Sequence, residues 1–174
     1  MKNIVLLTVL AILLSCGKIA DLRQIPDIHY SDSHFDQFKL SFNDMSNKVL
    51  GIEYDLSIPI YYDYFDADSM KIAICVMQSF TYISYSTKHN GFYKKTVHRN
   101  EIVVNGERFD KLSFVMQDYV IKHELGHCIL NRDHDDRVYR NGNYYSMMNS
   151  VLMSEGAYLQ NFDAYQIELF KGAI

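Results

Sequence analysis

Residues 123–134 read HELGHCILNRDH and hold the side chains in this chain best suited to chemistry. His123 and His127 are four apart, so on an α-helix their imidazoles stand one turn apart on one face and can share a tetrahedral cation. His134 follows within reach and supplies a third imidazole, and three protein ligands with one open position make a catalytic zinc site. Glu124 cannot reach the metal from the ligand face, but it can reach a water bound there. Zinc lowers the pKa of such a water from about 15.7 toward about 7. A neighbouring carboxylate can then take the proton as the water attacks a carbonyl, and later pass it to a leaving amine. The expected machinery is Zn2+ on His123, His127 and His134, with Glu124 as general base of a hydrolase.

The elements that must position these groups follow from periodicity. Leu112, Val115, Met116 and Tyr119 lead into His123 and His127 at steps of three and four, so the ligands continue the inward face of an amphipathic helix. Upstream, Phe35, Phe38, Phe42 and Met45 mark a first helix with Ser33 as N-cap, closing near Gly51. Residues 56–62 alternate as a strand that Pro59 pushes to an edge or distorts. Residues 72–77 form a short apolar run, expected as a strand buried on both faces, and residues 80–85 form another. Turns are expected at Asn90-Gly91 and Asn105-Gly106, with a strand over 101–105 before the second. After the histidines come a polar loop over 131–143, an apolar turn around Met147 and Met148, and a last helix carrying Phe162, Tyr165 and Leu169 to Gly172. Helix, strands and helix in that order predict an α+β domain with α/β-like element order.

HELGHCILNRDH resembles the metzincin signature HExxHxxGxxH, and Ser146-Met147-Met148-Asn149 is similar to the Met-turn of that family. The chain is similar in particular to a group of bacterial lipoproteins with HELGHCxLxRxH and a Tyr-rich C-terminal helix ending in Glu-Leu-Phe. The resemblance implies a metzincin-like zincin over residues 32–174: a small mixed sheet, an active-site helix, a Met-turn placing Met148 beneath the metal, and a C-terminal helix. It implies a zinc-dependent endopeptidase acting on an extended peptide or protein, which would pair with the strand before the active-site helix. Residues 101–105 are the nearest such strand. Ser150 stands where some metzincins place a tyrosine beside the zinc, and Tyr144, Tyr145 and Tyr158 are alternatives that packing also explains.

The third ligand departs from the family spacing by one residue, and the helix-ending glycine is absent. Asn131 lies three residues before His134, as that glycine does before the family's third ligand, and asparagine tolerates a left-handed turn. One extra helical residue followed by a turn at Asn131 therefore favours His134, and imidazole suits zinc. Asp133 is the rival, at the unshifted position. Glu155 or Glu168 would make a glutamate-ligand site, but neither carries that class's helical acidic motif, and His134 would then have no role. Cys128, next to His127, points about 100° away from the ligand face.

Lys2 precedes an apolar run over 4–14 that ends in Leu13-Leu14-Ser15-Cys16, the architecture of an export signal. The run is shorter than the roughly 20 residues of a spanning helix. Leu-x-Ser-Cys resembles the bacterial lipobox, which implies cleavage before Cys16 and lipid on its sulfur. The expected organisation is a signal peptide over 1–15, a tether over 16–31 and a catalytic domain over 32–174. Gly17 carries no acidic retention signal, so an outer-membrane lipoprotein is expected, a monomer anchored by lipid on Cys16. Formal charge is −4, with no basic surface for nucleic acid. Cys75 and Cys128 remain in an oxidising compartment, and whether they pair needs a distance that sequence lacks. A second reading is a zinc-stabilised lipoprotein that binds a protein or carbohydrate and cleaves nothing; a third is hydrolysis of a non-peptide amide. Glu124 favours an enzyme, because a structural zinc site has no use for a base.

Overall fold

The structure, a computed structural model, describes residues 31–65, 69–86 and 91–172 of the 174. The expected leader, Cys16 and nearly all of the tether lie outside the described residues, as does Asn90 of the expected turn. The fold is α+β, a small three-stranded mixed sheet packed with helices.

Phe35, Phe38 and Phe42 recur at helical spacing and are fully buried, which gives helix α1 (Asp36–Leu50) its core face. The Asp32 carboxylate accepts the His34 N–H at 2.9 Å and caps a 3-10 turn, Ser33–Phe35, leading into α1. The cap is therefore one residue earlier than the expected Ser33. Gly51 ends α1 at φ +69°, donating its N–H to the Asn47 carbonyl, as a left-handed helix stop requires.

Strands β1 (Ile60–Tyr62), β2 (Ala73–Ser86) and β3 (Gly91–Val104) form a sheet in the order β1-β3-β2. β2 and β3 pair antiparallel from Ala73↔Val104 to Ser86↔Gly91, and β1 joins β3 in parallel at Ile60↔Ile102. Of the strand expected over 56–62, only Ile60–Tyr62 forms β1; Pro59 has no N–H to donate and joins the sheet through its carbonyl alone.

Two further expectations are corrected here. The runs at 72–77 and 80–85 form one continuous edge strand, β2, and the first is not buried on both faces: Met77 is 60% exposed. Residues 101–105 offer no free edge, because β3 is the central strand. The Ile102 N–H bonds to the Pro59 carbonyl at 2.9 Å on the β1 side, while β2 occupies the other. Among the described residues the open edge beside the histidine helix belongs to β2.

A short helix, α2 (Gly106–Phe109), stands where a turn at Asn105-Gly106 was expected. The Ser113 hydroxyl then accepts the Met116 N–H at 3.3 Å and starts α3 (Phe114–Cys128). Met116, Tyr119, Val120, Ile121 and Leu125 are all buried, so α3 is enclosed on most sides, packed against β2 and α1. Even its charged pair is internal: Lys122 donates to Asp118 at 2.7 Å, one turn away. Two more helices, α4 (Glu155–Gln160) and α5 (Phe162–Lys171), close the domain, with Phe170 meeting Phe42 of α1 edge-on at 4.9 Å. Among the described residues no helix is long and apolar enough to cross a membrane.

Cys75 and Cys128, whose pairing the sequence left open, form a disulfide with Cα atoms 5.7 Å apart. It stitches β2 to the last turn of α3 across 53 residues of sequence. Closing so long a loop restricts the unfolded chain, so Cys75→Ala with Cys128→Ala is expected to lower stability by about 2–4 kcal/mol. Urea unfolding of the oxidised protein and of the double variant measures this, and equal midpoints would refute a stabilising bridge.

Candidate metal centre

α3 carries His123 and His127 on one face, with their Nε2 atoms 3.1 Å apart. Each ring is held from behind through Nδ1. His123 meets the Met147 carbonyl at 2.8 Å, and His127 meets the Arg132 carbonyl at 2.6 Å. A carbonyl can only accept, so each Nδ1 carries the proton and each Nε2 presents a lone pair. Burial pushes His123 down to about 4 and also lowers His127, which favours the neutral imidazoles that a metal requires. His134 completes the group, its Nε2 3.2 Å from that of His127. The three donor atoms lie within 4.8 Å of one another and could hold one metal ion.

The chain reaches His134 through a widened helix end. The Ile129 N–H still bonds to the Leu125 carbonyl at 2.8 Å, and Asn131 then adopts φ +51°. Among the described residues Asn131 is the one non-glycine with positive φ. The Arg132 N–H turns back to the Gly126 carbonyl at 3.1 Å, and His134 swings over the ligand face. Asp133 lines the same cleft but stands outside the three-histidine group. The glutamates weighed as third ligands are engaged elsewhere. Glu155 accepts the Ser113 hydroxyl at 2.9 Å, and Glu168 accepts Ser146 and Arg132.

The floor of the site is the turn over residues 146–149. Met148 is fully buried against Gly126, where an added Cβ would lie 2.6 Å from the Met148 sulfur and 3.1 Å from Leu169. Glycine between the two histidines thus lets the turn come up against the helix. The Ser146 hydroxyl accepts the Met148 N–H at 2.9 Å and donates to Glu168 at 2.7 Å. Glu168 in turn pairs with Arg132, whose guanidinium also donates to the Glu168 and Leu169 carbonyls at the end of α5. Gly126, Arg132 and Glu168 were not foreseen as parts of this framework. The histidine motif contains both Gly126 and Arg132, but only the fold brings Glu168 to them.

Glu124 is buried beside His123, and its Oε2 accepts the Cys75 N–H of β2 at 2.7 Å. Burial pushes its carboxyl up to about 7, opposed by that hydrogen bond and by Lys71. It opens with the three histidines onto one cleft of about 570 Å3, walled on one side by β2 and on the other by Asn149, Ser150 and Leu152. Tyr144, Tyr145 and Tyr158 do not line this cleft.

No protein-family model, curated protein or solved structure matches the chain. The chemistry of the site therefore rests on its own donor set.

Two outcomes are expected from this geometry. His134→Ala should lose bound metal far more than Asp133→Ala, measured as zinc per chain after dialysis; the reverse ranking would make Asp133 the ligand. Asn131→Gly should retain metal, whereas Asn131→Val should weaken it and cost about 1–2 kcal/mol, because a β-branched residue resists positive φ. Equal zinc affinities in these two variants, by competition with a chromophoric chelator, would remove the turn from the argument for His134.

Proposed function

We propose that this chain is a zinc-dependent endopeptidase of the cell envelope, built on a metzincin-like site. One observation carries the reading: three imidazole lone pairs converge beside the Glu124 carboxylate in an open cleft. The donor set fits zinc. Ligand nitrogens about 2.0–2.1 Å from a tetrahedral zinc stand roughly 3.3 Å apart, close to the 3.1 and 3.2 Å separations found. Met148 packed against Gly126 of the histidine helix supports reading it as a Met-turn methionine.

Held by His123, His127 and His134, zinc would act as a Lewis acid, acidifying water and polarising a carbonyl. Glu124 takes the proton of the attacking water and passes it to the leaving amine. The Cys75 N–H orients the carboxylate for this, and burial raises its proton affinity, which suits a group that both accepts and returns a proton.

The edge of β2 supports an extended peptide as substrate. The Cys75 N–H points away from β3, so by antiparallel alternation the main-chain groups of Ala73 and Met77 point outward as well. A peptide laid along that edge gains main-chain hydrogen bonds that ignore its side chains. Met70, Met77 and Leu152 are exposed on the cleft and favour apolar side chains near the cut. The disulfide fits an exported protein, in keeping with the proposed leader and lipid-bearing Cys16.

Glu124→Gln is expected to keep zinc and fold while cleavage of an unfolded protein or peptide library falls about 100- to 10,000-fold. Cleavage at the wild-type rate would rule out Glu124 as the base. A zinc-loaded wild type that cuts no peptide would leave a binding protein instead.

A further inference from the structure

The Met147 carbonyl accepts two hydrogen bonds. One comes from His123 Nδ1 at 2.8 Å, and the other from the Tyr119 hydroxyl at 3.0 Å. Tyr119 stands one turn before His123 on α3, and the two rings lie 6.2 Å apart. The same hydroxyl accepts Asn149 Nδ2 at 3.1 Å. Asn149 is itself fixed, donating to the Ser146 carbonyl at 3.1 Å and accepting the Val151 N–H at 3.2 Å. Tyr119 and Asn149 are 2% and 1% exposed, so these bonds are shielded from competing water.

We infer that Tyr119, held by Asn149, is a positioning residue for the metal centre: it pins the Met147 carbonyl that in turn orients His123. The inference rests on the reading of the three histidines as metal ligands. A carbonyl has two lone pairs, and here both are used by residues of one helix face. Tyr119 ties the turn to α3 through its bond to the Met147 carbonyl. His123 then meets an acceptor already in place, which holds its proton on Nδ1 and its Nε2 lone pair toward His127 and His134. Asn149 strengthens the arrangement, because a hydroxyl that accepts a hydrogen bond becomes a better donor. Without the hydroxyl, the Met147 carbonyl keeps His123 as its one side-chain donor, and the turn is free to shift with it.

Tyr119→Phe tests this, because it keeps the ring packed at 5.0 Å on Tyr158 and removes only the hydroxyl. Tyr158→Phe is the control. It also deletes a buried hydroxyl, one that accepts Gln166 Nε2 at 2.6 Å, but Tyr158 does not line the cleft of the three histidines. Zinc affinity of the purified wild type and both variants is measured by competition with a chromophoric chelator, and the visible spectrum of bound Co2+ reports ligand geometry. Tyr119→Phe should weaken zinc about 10- to 100-fold and alter the Co2+ bands, while Tyr158→Phe leaves both unchanged. Equal zinc affinity in wild type and Tyr119→Phe overturns the inference and leaves the metal centre standing. Equal losses in the two variants also overturn it, since the effect would then be general to the core. A wild type that takes up no zinc overturns the metal centre and the inference together.

Discussion

Lone pairs of three neutral imidazoles do not gather at one point for their own benefit; they repel until a cation is shared among them. The centre at His123, His127 and His134 therefore depends on forces acting on the far sides of the rings. Main-chain carbonyls of Met147 and Arg132 provide them for His123 and His127. A backbone acceptor has no rotamers of its own, so each ring is fixed as firmly as the loop that carries the carbonyl. The rest of the domain can be understood as the means of fixing those loops.

Both loops are tied to α5 by one connected set of groups. Arg132 belongs to the turn that delivers His134, Ser146 to the turn beneath the site, and Glu168 of α5 binds both. An ion pair largely withdrawn from water is weak evidence for stability, since desolvation offsets much of its attraction. Its effect here is geometric: one Glu168 oxygen takes Arg132 and the other takes Ser146, so a single carboxylate holds two separate loops at one spacing. Gly126 sets the remaining distance, because Met148 rests where a side chain would otherwise project.

The opposite wall is assembled with similar economy. β2 contributes the Cys75 N–H to Glu124, while the Cys75 sulfur joins Cys128 at the end of the ligand helix. One residue thus sets the carboxylate against the strand and the strand against the helix. The same strand is an edge of the sheet, and its residues Ala73, Cys75 and Met77 line the cleft that the histidines open onto. Proposed base, proposed metal and proposed substrate track therefore meet where α3 crosses β2.

By itself the sequence determined the local features. The i, i+4 histidines, the apolar stripe leading to them, the helix stop at Gly51 and the left-handed turn at Asn131 each depend on neighbours a few residues away, and periodicity and side-chain chemistry report such neighbours directly. The α+β character was legible for the same reason. What only tertiary structure decided involves distant pairings: β3 at the centre of the sheet with β2 as the open edge, the Cys75–Cys128 bridge, and Glu168 as a clamp where a ligand had been considered. A strand's sequence encodes its alternation but not which of its two edges will be covered, because that is settled by competition among partners far apart in the chain. Cysteine pairing and the partners of a buried carboxylate are likewise matters of distance in space, which no spacing along the chain contains.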